Sequence, residues 1–379
     1  MGFVLYYPYN YFNRIHCVII YLYNIMRAIV LSKYCNKGAS SRIRMYQYLD
    51  YFRKNGINIT ISPLLDINYI NMLYKHNKIN YIAIIKGMIR RVIDLLSSEK
   101  HDLLWIEKEL FPWVPFFVEK VFEARIPYLA DYDDAIFHNY DIHPRRIVTC
   151  LLGRKIDEIM ANAAVVTAGN GYLAERARSA GAPRVEILPS VINLESYPLV
   201  EVPVNDIFTI GWIGSPSTAK HLLDAEIALK QVCKNRGGKV VLIGAGENPF
   251  SGLMATMRDW NEATQSMEIG NFDVGIMPLP DNPWERGKCG FKLIQCMACG
   301  KPVVASPVGV NREIVVEGVN GFLASTSKEW VDALLRLRAD PELRRAMGEK
   351  GRRMVEEKYC LQVTAPRLHR LLLEAAGRA

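Results

Sequence analysis

A cluster of cationic side chains lies beside a short apolar helix pattern within residues 284–310. Arg286, Lys288 and Lys292 fall there, close to a Gly-Lys-Pro sequence and a Val-Val-Ala-Ser run that predicts a strand. In α/β sheets, backbone amides at helix N-termini and the lysines beside them bind anionic ligands. Lys288 and Lys292 stand between cysteine, glycine and large apolar residues, which favours binding over a solvated surface role. We interpret the segment as a nucleotide-diphosphate site.

Three glycine-bearing turns follow predicted strands and could bring backbone amides close to phosphates. The first contains Gly38 and Arg42, the second contains Gly214 and Ser215 and is followed by Lys220, and the third spans residues 244–246. Glycine permits close backbone approach, and small hydroxyl residues at a helix start donate hydrogen bonds to a phosphate. Each turn alone is a weak signal, and an ordinary tight turn is favoured for the third. The chain lacks the Gly-x-Gly-x-x-Gly pattern of dinucleotide sites.

Fixed cations near such turns can stabilise the charge that develops on a departing diphosphate. Lys220 and Lys288 are the candidates for this role. We therefore expect that replacing either lysine by alanine lowers turnover by about two orders of magnitude.

Carboxylates follow other predicted strands. Asp133 and Asp134 come directly after a strand, in the sequence Ala-Asp-Tyr-Asp-Asp-Ala. Such residues can hold a divalent metal against a diphosphate, anchor a sugar hydroxyl or cap a helix. The sugar and capping roles are favoured over a metal, so no metal site is predicted. Glu107 and Glu109 end another strand, where an ion pair and a catalytic role both remain open.

Strand and helix patterns alternate along the chain and would position these residues. Apolar runs predict strands at residues 28–32, 58–62, 103–107, 127–131, 164–168 and 185–189, and then at 207–213, 239–243, 272–278, 302–305 and 321–324. The clearest helical period places Ile82, Ile85, Ile89, Val92 and Leu96 on one face. This alternation predicts an α/β protein with parallel sheets covered by helices on both faces. Ligands of such sheets bind at the carboxyl ends of the strands.

The length of 379 residues predicts two domains. Prolines at 198 and 203 in a polar stretch indicate the boundary, so we divide the chain into residues 26–200 and 201–379, the second part including a C-terminal helix near residues 363–376. Residues 1–25 are rich in Tyr and Ile and are interpreted as an extension upstream of the real start. The alternative is an aromatic segment that leans on a bilayer.

The net charge of +8 falls entirely within the first 130 residues, which hold 17 Lys and Arg against 9 Asp and Glu. A basic face favours nucleic acid or the anionic lipid of a cytoplasmic leaflet, or is merely a solvated surface. No interleaved aromatic and basic module is present, so nucleic acid is not expected. Eight scattered cysteines fit a reducing compartment such as the cytoplasm. No apolar run approaches the roughly 20 residues of a membrane span.

Two motifs resemble those of the GT-B glycosyltransferases, in particular the large retaining group called family 4. They are Gly-Ile-Met-Pro-Leu at residues 275–279 and Phe-Lys-Leu-Ile-Gln-Cys-Met-Ala-Cys-Gly-Lys-Pro-Val-Val at residues 291–304, and the likeness extends from Met26 to the C-terminus. The resemblance implies two Rossmann-like, doubly wound domains facing a central cleft. The first would bind the acceptor and the second the nucleotide-sugar donor.

The resemblance also implies transfer of a sugar, hexosyltransferase-like, with retained anomeric configuration and without a metal or other cofactor. The leaving diphosphate would assist the incoming hydroxyl. The implied acceptor is a saccharide or lipid-linked saccharide of a bacterial surface polysaccharide. That acceptor would suit a cytoplasmic enzyme in peripheral contact with the inner face of the plasma membrane.

Several site residues are carried over by the resemblance. Lys220 matches the family's diphosphate-binding lysine, and Lys288 is the candidate replacement for the arginine that accompanies it. Lys292 stands three positions before the ribose-binding residue, where related sequences can also carry a lysine. The turn from Gly38 to Arg42 resembles the family's turn that faces donor and acceptor. The turn with Gly214 and Ser215 resembles the start of the family's donor domain. Asp133 and Asp134 stand where the family has a histidine.

The chain departs from the family at two positions. Gln295 replaces the glutamate that binds the donor ribose, although an amide still hydrogen-bonds hydroxyls. Gly287 replaces an earlier glutamate, and Glu285 or Arg286 is expected to substitute for it. These departures motivate one alternative, a non-catalytic GT-B-like partner subunit. A nucleotide-sugar epimerase on the same scaffold is the other.

Overall fold

A computed structural model of the chain describes residues 25–76, 79–123, 126–199, 207–234 and 237–378. The extension predicted at residues 1–25 lies almost wholly outside the described residues, and the described part resumes at residue 207 after the predicted boundary. Among the described helices, none is both long enough and apolar enough to cross a bilayer.

The first half of the chain forms a parallel sheet of six strands in the order β2-β1-β3-β4-β5-β6. The strands are β1 (Met26–Leu31), β2 (Ile57–Ile61), β3 (Leu103–Glu107), β4 (Tyr128–Tyr132), β5 (Val165–Ala168) and β6 (Val185–Ile187). Every residue of β3, β4 and β5 is buried, as expected for parallel strands covered on both faces. All six strands predicted in this half are confirmed.

The helices of the first half connect these strands. They are α1 (Ala39–Arg44), α2 (Leu49–Lys54), α3 (Ile67–His76), α4 (Tyr81–Leu96), α5 (Phe116–Glu123), α6 (Arg146–Leu152), α7 (Lys155–Asn162) and α8 (Gly171–Ser179). Short 3-10 helices span Tyr46–Tyr48, Ser98–Lys100, Ile136–Asn139 and Leu194–Ser196.

The second half forms another parallel sheet of six strands, in the order β12-β11-β10-β7-β8-β9. The strands are β7 (Phe208–Ile213), β8 (Gly238–Ile243), β9 (Ala255–Arg258), β10 (Val274–Met277), β11 (Val303–Ala305) and β12 (Gly321–Leu323). Five of them were predicted. The sequence analysis missed β9, because this edge strand alternates half-buried and exposed residues and has no continuous apolar run.

The helices of the second half are α9 (Pro216–Ala219), α10 (Glu226–Cys233), α11 (Gln265–Gly270), α12 (Pro283–Arg286), α13 (Phe291–Ala298), α14 (Asn311–Ile314), α15 (Ser327–Ala339), α16 (Pro341–Lys358) and α17 (Leu361–Ala375). A 3-10 helix, Lys220–Ala225, follows α9. This 3-10 helix leads directly into α10. Two doubly wound sheets follow one another, as the alternation predicted.

The C-terminal helix α17 packs against the first sheet and not the second. Leu368, Leu371 and Leu372 share one buried cluster with Phe52 and Trp105. The hydroxyl of Thr364, also in α17, lies 3.0 Å from the Tyr48 hydroxyl of the first half. The predicted second domain, residues 201–379, therefore includes a helix whose apolar face belongs to the first core.

Helix α4 is oriented differently from what its apolar period suggests. Its clearest apolar stripe does not cover the sheet, because Ile82, Ile85 and Ile89 are 68%, 58% and 57% exposed. The inner face carries Gly87 and Arg91 instead. A Cβ at Gly87 would lie 2.0 Å from the Leu64 carbonyl oxygen, so glycine allows the helix backbone to approach that loop. The buried Arg91 guanidinium donates to the Ser32 and Ser62 carbonyls.

Candidate functional site

A cavity of about 510 Å³ lies where the carboxyl ends of the two sheets meet. Eight of the predicted site residues line it, namely Arg42, Asp133, Asp134, Gly214, Ser215, Lys288, Lys292 and Gln295. They come from both halves of the chain, so the cavity is a cleft between the two sheets. Its position agrees with the rule for ligands of doubly wound sheets.

Three other predicted residues are not brought into the cavity. Gly38 begins α1, and a Cβ there would lie 2.3 Å from Cβ of Tyr34, which gives this glycine a packing role. Lys220 begins a 3-10 helix and is exposed. The next two residues of this helix, His221 and Leu222, are the ones that are buried. Arg286 points to solvent and pairs with Asp281, with 2.6 Å between Nε and Oδ1. These three residues are therefore not among those that line the cavity, and their roles stay predictions.

The carboxylate of Asp133 is held on the first-half side of the cleft by a lysine that sequence reasoning missed. Lys108 Nζ lies 2.7 Å from Asp133 Oδ1, and the Ser40 hydroxyl donates to Asp133 Oδ2 at 2.6 Å. Burial alone would raise the pKa of Asp133, but the Lys108 and Arg44 charges lower it below its usual value. The side chain is therefore an ionised carboxylate over the working pH range.

Lys108 adopts a φ of 69°, an uncommon value for a residue with a side chain. Strained backbone of this kind is often found at functional sites. The Glu-Lys-Glu run that begins at the last residue of the fully buried strand β3 was the signal that could have identified it. Within the described ranges, no three His, Cys, Asp or Glu side chains are grouped to hold a metal ion.

Asp134 forms an ion pair across the cleft. Its Oδ1 lies 2.9 Å from Nζ of Lys288, a residue of the second half. Burial lowers the pKa of Lys288, but the Asp134 charge outweighs it and the net shift is upward. The pair thus joins the two halves at the cavity wall.

Lys292 has a different environment. Its Nζ lies 4.5 Å from the centre of the Trp212 ring and donates to the Thr218 hydroxyl at 3.2 Å. Gly214 leaves room for it, because a Cβ there would lie 2.8 Å from Cε of Lys292. None of the carboxylates that the structure describes forms an ion pair with this ammonium. Burial, with a smaller contribution from Lys288, lowers its pKa to about 7.

This shift predicts how donor affinity depends on pH. An anion bound beside Lys292 would raise its pKa, so below pH 7 the free protein is already charged and affinity is highest. Above pH 7 binding requires uptake of a proton, and affinity is expected to fall by up to about tenfold per pH unit. Calorimetric titration with a nucleotide sugar at several pH values measures this. Lys292→Met should remove the pH dependence. A wild-type donor affinity that stays the same from pH 6 to pH 9 would contradict the prediction.

Glu285 is a buried carboxylate that lines the cavity. Its Oε1 lies 3.2 Å from Nε2 of His221, whereas no described group hydrogen-bonds its Oε2. Burial would raise the pKa of Glu285, but His221 and the nearby lysines Lys288 and Lys220 lower it. An ionised oxygen without a protein partner can accept a ligand hydroxyl. Of the two residues expected to replace the missing glutamate, the structure brings only Glu285 to the cavity.

Gln295 is fixed by the two hydrogen bonds of its amide nitrogen. Nε2 donates to the Tyr197 hydroxyl at 2.8 Å and to Gln265 Oε1 at 3.1 Å. Gln265 Oε1 also accepts from the indole nitrogen of Trp260, at 3.1 Å. The carbonyl oxygen of Gln295 therefore remains available to accept from ligand hydroxyls. The Arg42 guanidinium lies 4.7 Å from the centre of the Trp260 ring, which joins the two halves at this wall.

The absence of a side chain at Gly287 has a packing reason. A Cβ there would lie 2.5 Å from Cβ and 2.8 Å from the backbone nitrogen of Ala135, in the first half. The side-chain amide of Asn170 donates to the carbonyls of Gly287 and Lys288, at 2.9 Å each. This loop is therefore docked on the first half, and its docking places Lys288 beside Asp134.

Comparisons with known proteins are consistent with this arrangement. Residues 206–340 match the family described as Glycosyl transferases group 1. N-acetyl-alpha-D-glucosaminyl L-malate synthase of Bacillus anthracis is 25% identical over 147 residues, 37% of this chain and 38% of that protein. The match thus spans well under half the length of this relative.

Two solved structures are similar over nearly the whole chain. Sucrose-phosphate synthase from Thermosynechococcus elongatus superposes with a TM-score of 0.70, at 16% identity, over 93% of this chain and 99% of that one. HepE from Anabaena in complex with UDP-glucose gives a TM-score of 0.68, at 16% identity, over 92% and 100%. The predicted GT-B fold with two Rossmann-like domains is confirmed. The family match and the fold together support a GT-B glycosyltransferase.

Proposed function

We propose that this protein transfers a sugar from a nucleoside-diphosphate donor to an acceptor hydroxyl, with retention of anomeric configuration. The observation that carries the proposal is the Lys292 ammonium, which faces the cleft without a carboxylate partner among the described residues. It lies in the first turn of α13, where the helix dipole also favours a negative charge. A half-buried cation placed in this way needs an anion, and a diphosphate supplies one.

The diphosphate would be held by Lys292 and Lys288, with backbone amides of the turn at Gly214 and Ser215. Fixed positive charges beside the leaving group stabilise it more in the transition state than in the ground state, and this speeds departure. Lys288 would break its ion pair with Asp134 and form one with the phosphate. Asp134 would then be free to accept a hydrogen bond from the acceptor.

The remaining polar groups fit the sugar and ribose parts of a donor. The free oxygen of Glu285 is suited to a sugar hydroxyl, and the carbonyl oxygen of Gln295 to a ribose hydroxyl. Asp133 is paired with Lys108, and Asp134 with Lys288. Lys108 thus holds Asp133 in place, whereas Asp134, released by Lys288 when the donor binds, would hold the acceptor hydroxyl while the leaving phosphate takes its proton, with retained configuration.

The acceptor is proposed to be a saccharide or lipid-linked saccharide in surface polysaccharide synthesis. The excess of positive charge in the first 130 residues supports an anionic acceptor or acceptor carrier. For the donor, a UDP-sugar is the first to test, because HepE, of the same fold, has been solved with UDP-glucose.

The test is release of nucleoside diphosphate from a panel of nucleotide sugars, selected by thermal shift, with and without acceptor saccharides. We expect release that depends on acceptor and is lost in Lys292→Met, and a product of retained anomeric configuration by NMR. Interconversion of the free donor without acceptor would instead identify an epimerase. Failure to bind any nucleotide sugar would indicate a non-catalytic subunit.

A further inference from the structure

The outer surfaces of α4 and α5 form what we call the α4–α5 face. Its exposed apolar side chains are Tyr81, Ile82, Ile85, Ile89, Ile93 and Leu96 of α4, and Phe117, Val118 and Val121 of α5. Single exposed apolar residues are ordinary, but a set of this size on two helices marks an interaction surface.

The two helices lie on the same side of the first sheet. Leu95 of α4 and Phe116 of α5 belong to one buried cluster, and Val92 and Phe122 pack against it. Because the inner faces of the helices share this core, their outer residues are directed to the same side of the molecule. Phe117, the most exposed of them, is 72% exposed.

The charges on this face are positive. Lys86, Arg90 and Lys120 are exposed. The carboxylates of these helices whose side chains the structure describes are occupied elsewhere: Asp94 accepts from the Ser62 hydroxyl at 2.6 Å, and Glu119 is buried. An apolar surface with lysines and arginines, and without exposed carboxylates among its described side chains, is complementary to an anionic bilayer.

The face adjoins the cleft through a short packed connection. The Leu64 carbonyl contacts α4 at Gly87, and the next residue, Leu65, accepts from the Cys35 backbone nitrogen at 3.0 Å. Lys37, two residues after Cys35, lines the cleft cavity. A separate pocket of about 260 Å³, between residues 64–68 and the first turns of α4, is lined by both Lys86 and Arg90. A ligand anchored at the α4–α5 face is therefore close to the cleft.

We propose that the first domain docks on an anionic bilayer through the α4–α5 face, so that a lipid-linked acceptor passes from the bilayer into the cleft. The apolar side chains enter the interface, and Lys86 and Lys120 contact lipid phosphates; Arg90, whose guanidinium donates to the Pro63 and Leu64 carbonyls, adds its positive charge beside them. The acceptor part rests on the proposed function, whereas the docking itself does not.

The test is flotation of the full chain with vesicles of phosphatidylcholine, with or without phosphatidylglycerol, in the absence of donor and acceptor. We expect binding to the anionic vesicles that weakens as salt increases. The double variant Ile85→Gln/Ile89→Gln is expected to bind about tenfold more weakly, from loss of buried apolar area. Lys86→Gln/Lys120→Gln should bind several-fold more weakly and depend less on salt.

Matched controls lie in the second half. Ile227 is 68% exposed on α10, and Lys328 is exposed on α15, so Ile227→Gln and Lys328→Gln should bind vesicles as the wild type does. Circular dichroism and nucleotide-sugar binding, unchanged in all variants, confirm that each is folded. A failure of donor binding with vesicle binding intact would count against the proposed function alone.

Three outcomes would overturn the docking proposal. The first is a wild-type chain that does not float with anionic vesicles. The second is equal loss of flotation in the Ile85→Gln/Ile89→Gln and Ile227→Gln variants. The third is a wild-type dimer, by light scattering, that Ile85→Gln/Ile89→Gln converts to a monomer, since the face would then serve a second copy of the chain.

Discussion

Lys292→Met is expected to lower kcat/KM for sugar transfer by about 100- to 1000-fold, the loss seen when one stabiliser of transition-state charge is removed. Methionine keeps a long unbranched side chain but removes the ammonium, together with its contact with the Trp212 ring and its hydrogen bond to Thr218. Because the ammonium would contact the diphosphate both in the bound donor and as its charge develops on departure, donor affinity and kcat should both fall. Steady-state kinetics with donor and acceptor varied separately measures both effects.

The matched control is Lys328→Met, an exposed lysine of the same half, which should leave kinetics unchanged. The structure also ranks the lysines that the sequence suggested. Lys288 lines the cavity and should lose activity when replaced by alanine, whereas the exposed Lys220 should lose less. Wild-type kinetics in Lys292→Met would refute the role of this residue. A larger loss in Lys220→Ala than in Lys292→Met would show that the diphosphate binds nearer the 3-10 helix.

The fold and the second-half wall of the cleft were largely predictable from sequence, because both depend on local patterns. Buried parallel strands are continuous apolar runs, and glycine and lysine after a strand indicate an anion site. Lys288, Lys292 and Gln295 fall in one short segment around α13, so one motif located all three. Strand β9 escaped prediction because an edge strand needs no continuous apolar run.

The first-half wall of the cleft was harder to predict, because its contacts join residues far apart in sequence. Lys108 reaches Asp133 only because β3 and β4 are neighbours in the sheet. The ion pair of Lys288 with Asp134 spans the two halves, and no local pattern could indicate it. Helix α4 shows a further limit, since an apolar period predicts a helix but not which face packs inward. Gly87 and the buried Arg91 decided that orientation.

Introducing at position 287 the glutamate that the family resemblance would place there is expected to impair the protein and not to improve it. Any side chain there meets Ala135, with a Cβ–Cβ distance of 2.5 Å, so Gly287→Glu should undock the loop that carries Lys288. Overpacking of this kind costs roughly 1–3 kcal/mol, which corresponds to a fall in kcat/KM of about 10- to 100-fold. Gly287→Ala should produce much of the same loss, because the clash begins at Cβ.

A double-mutant cycle separates steric undocking from other effects of the substitution. Ala135→Gly removes the Cβ that meets the new side chain but leaves its backbone nitrogen 2.8 Å away, so Gly287→Ala/Ala135→Gly should recover activity only in part.

Asn170→Ala supplies an independent test, since it removes the hydrogen bonds to the same loop without touching the cavity. Both routes should weaken donor turnover. Asn170→Ala should also lower the free energy of unfolding by roughly 0.5–2 kcal/mol, because the Asn170 side chain caps α8 by accepting from the Leu173 backbone nitrogen at 3.0 Å. Additive losses in the cycle, with no recovery, would mean that contact with Ala135 does not explain the glycine.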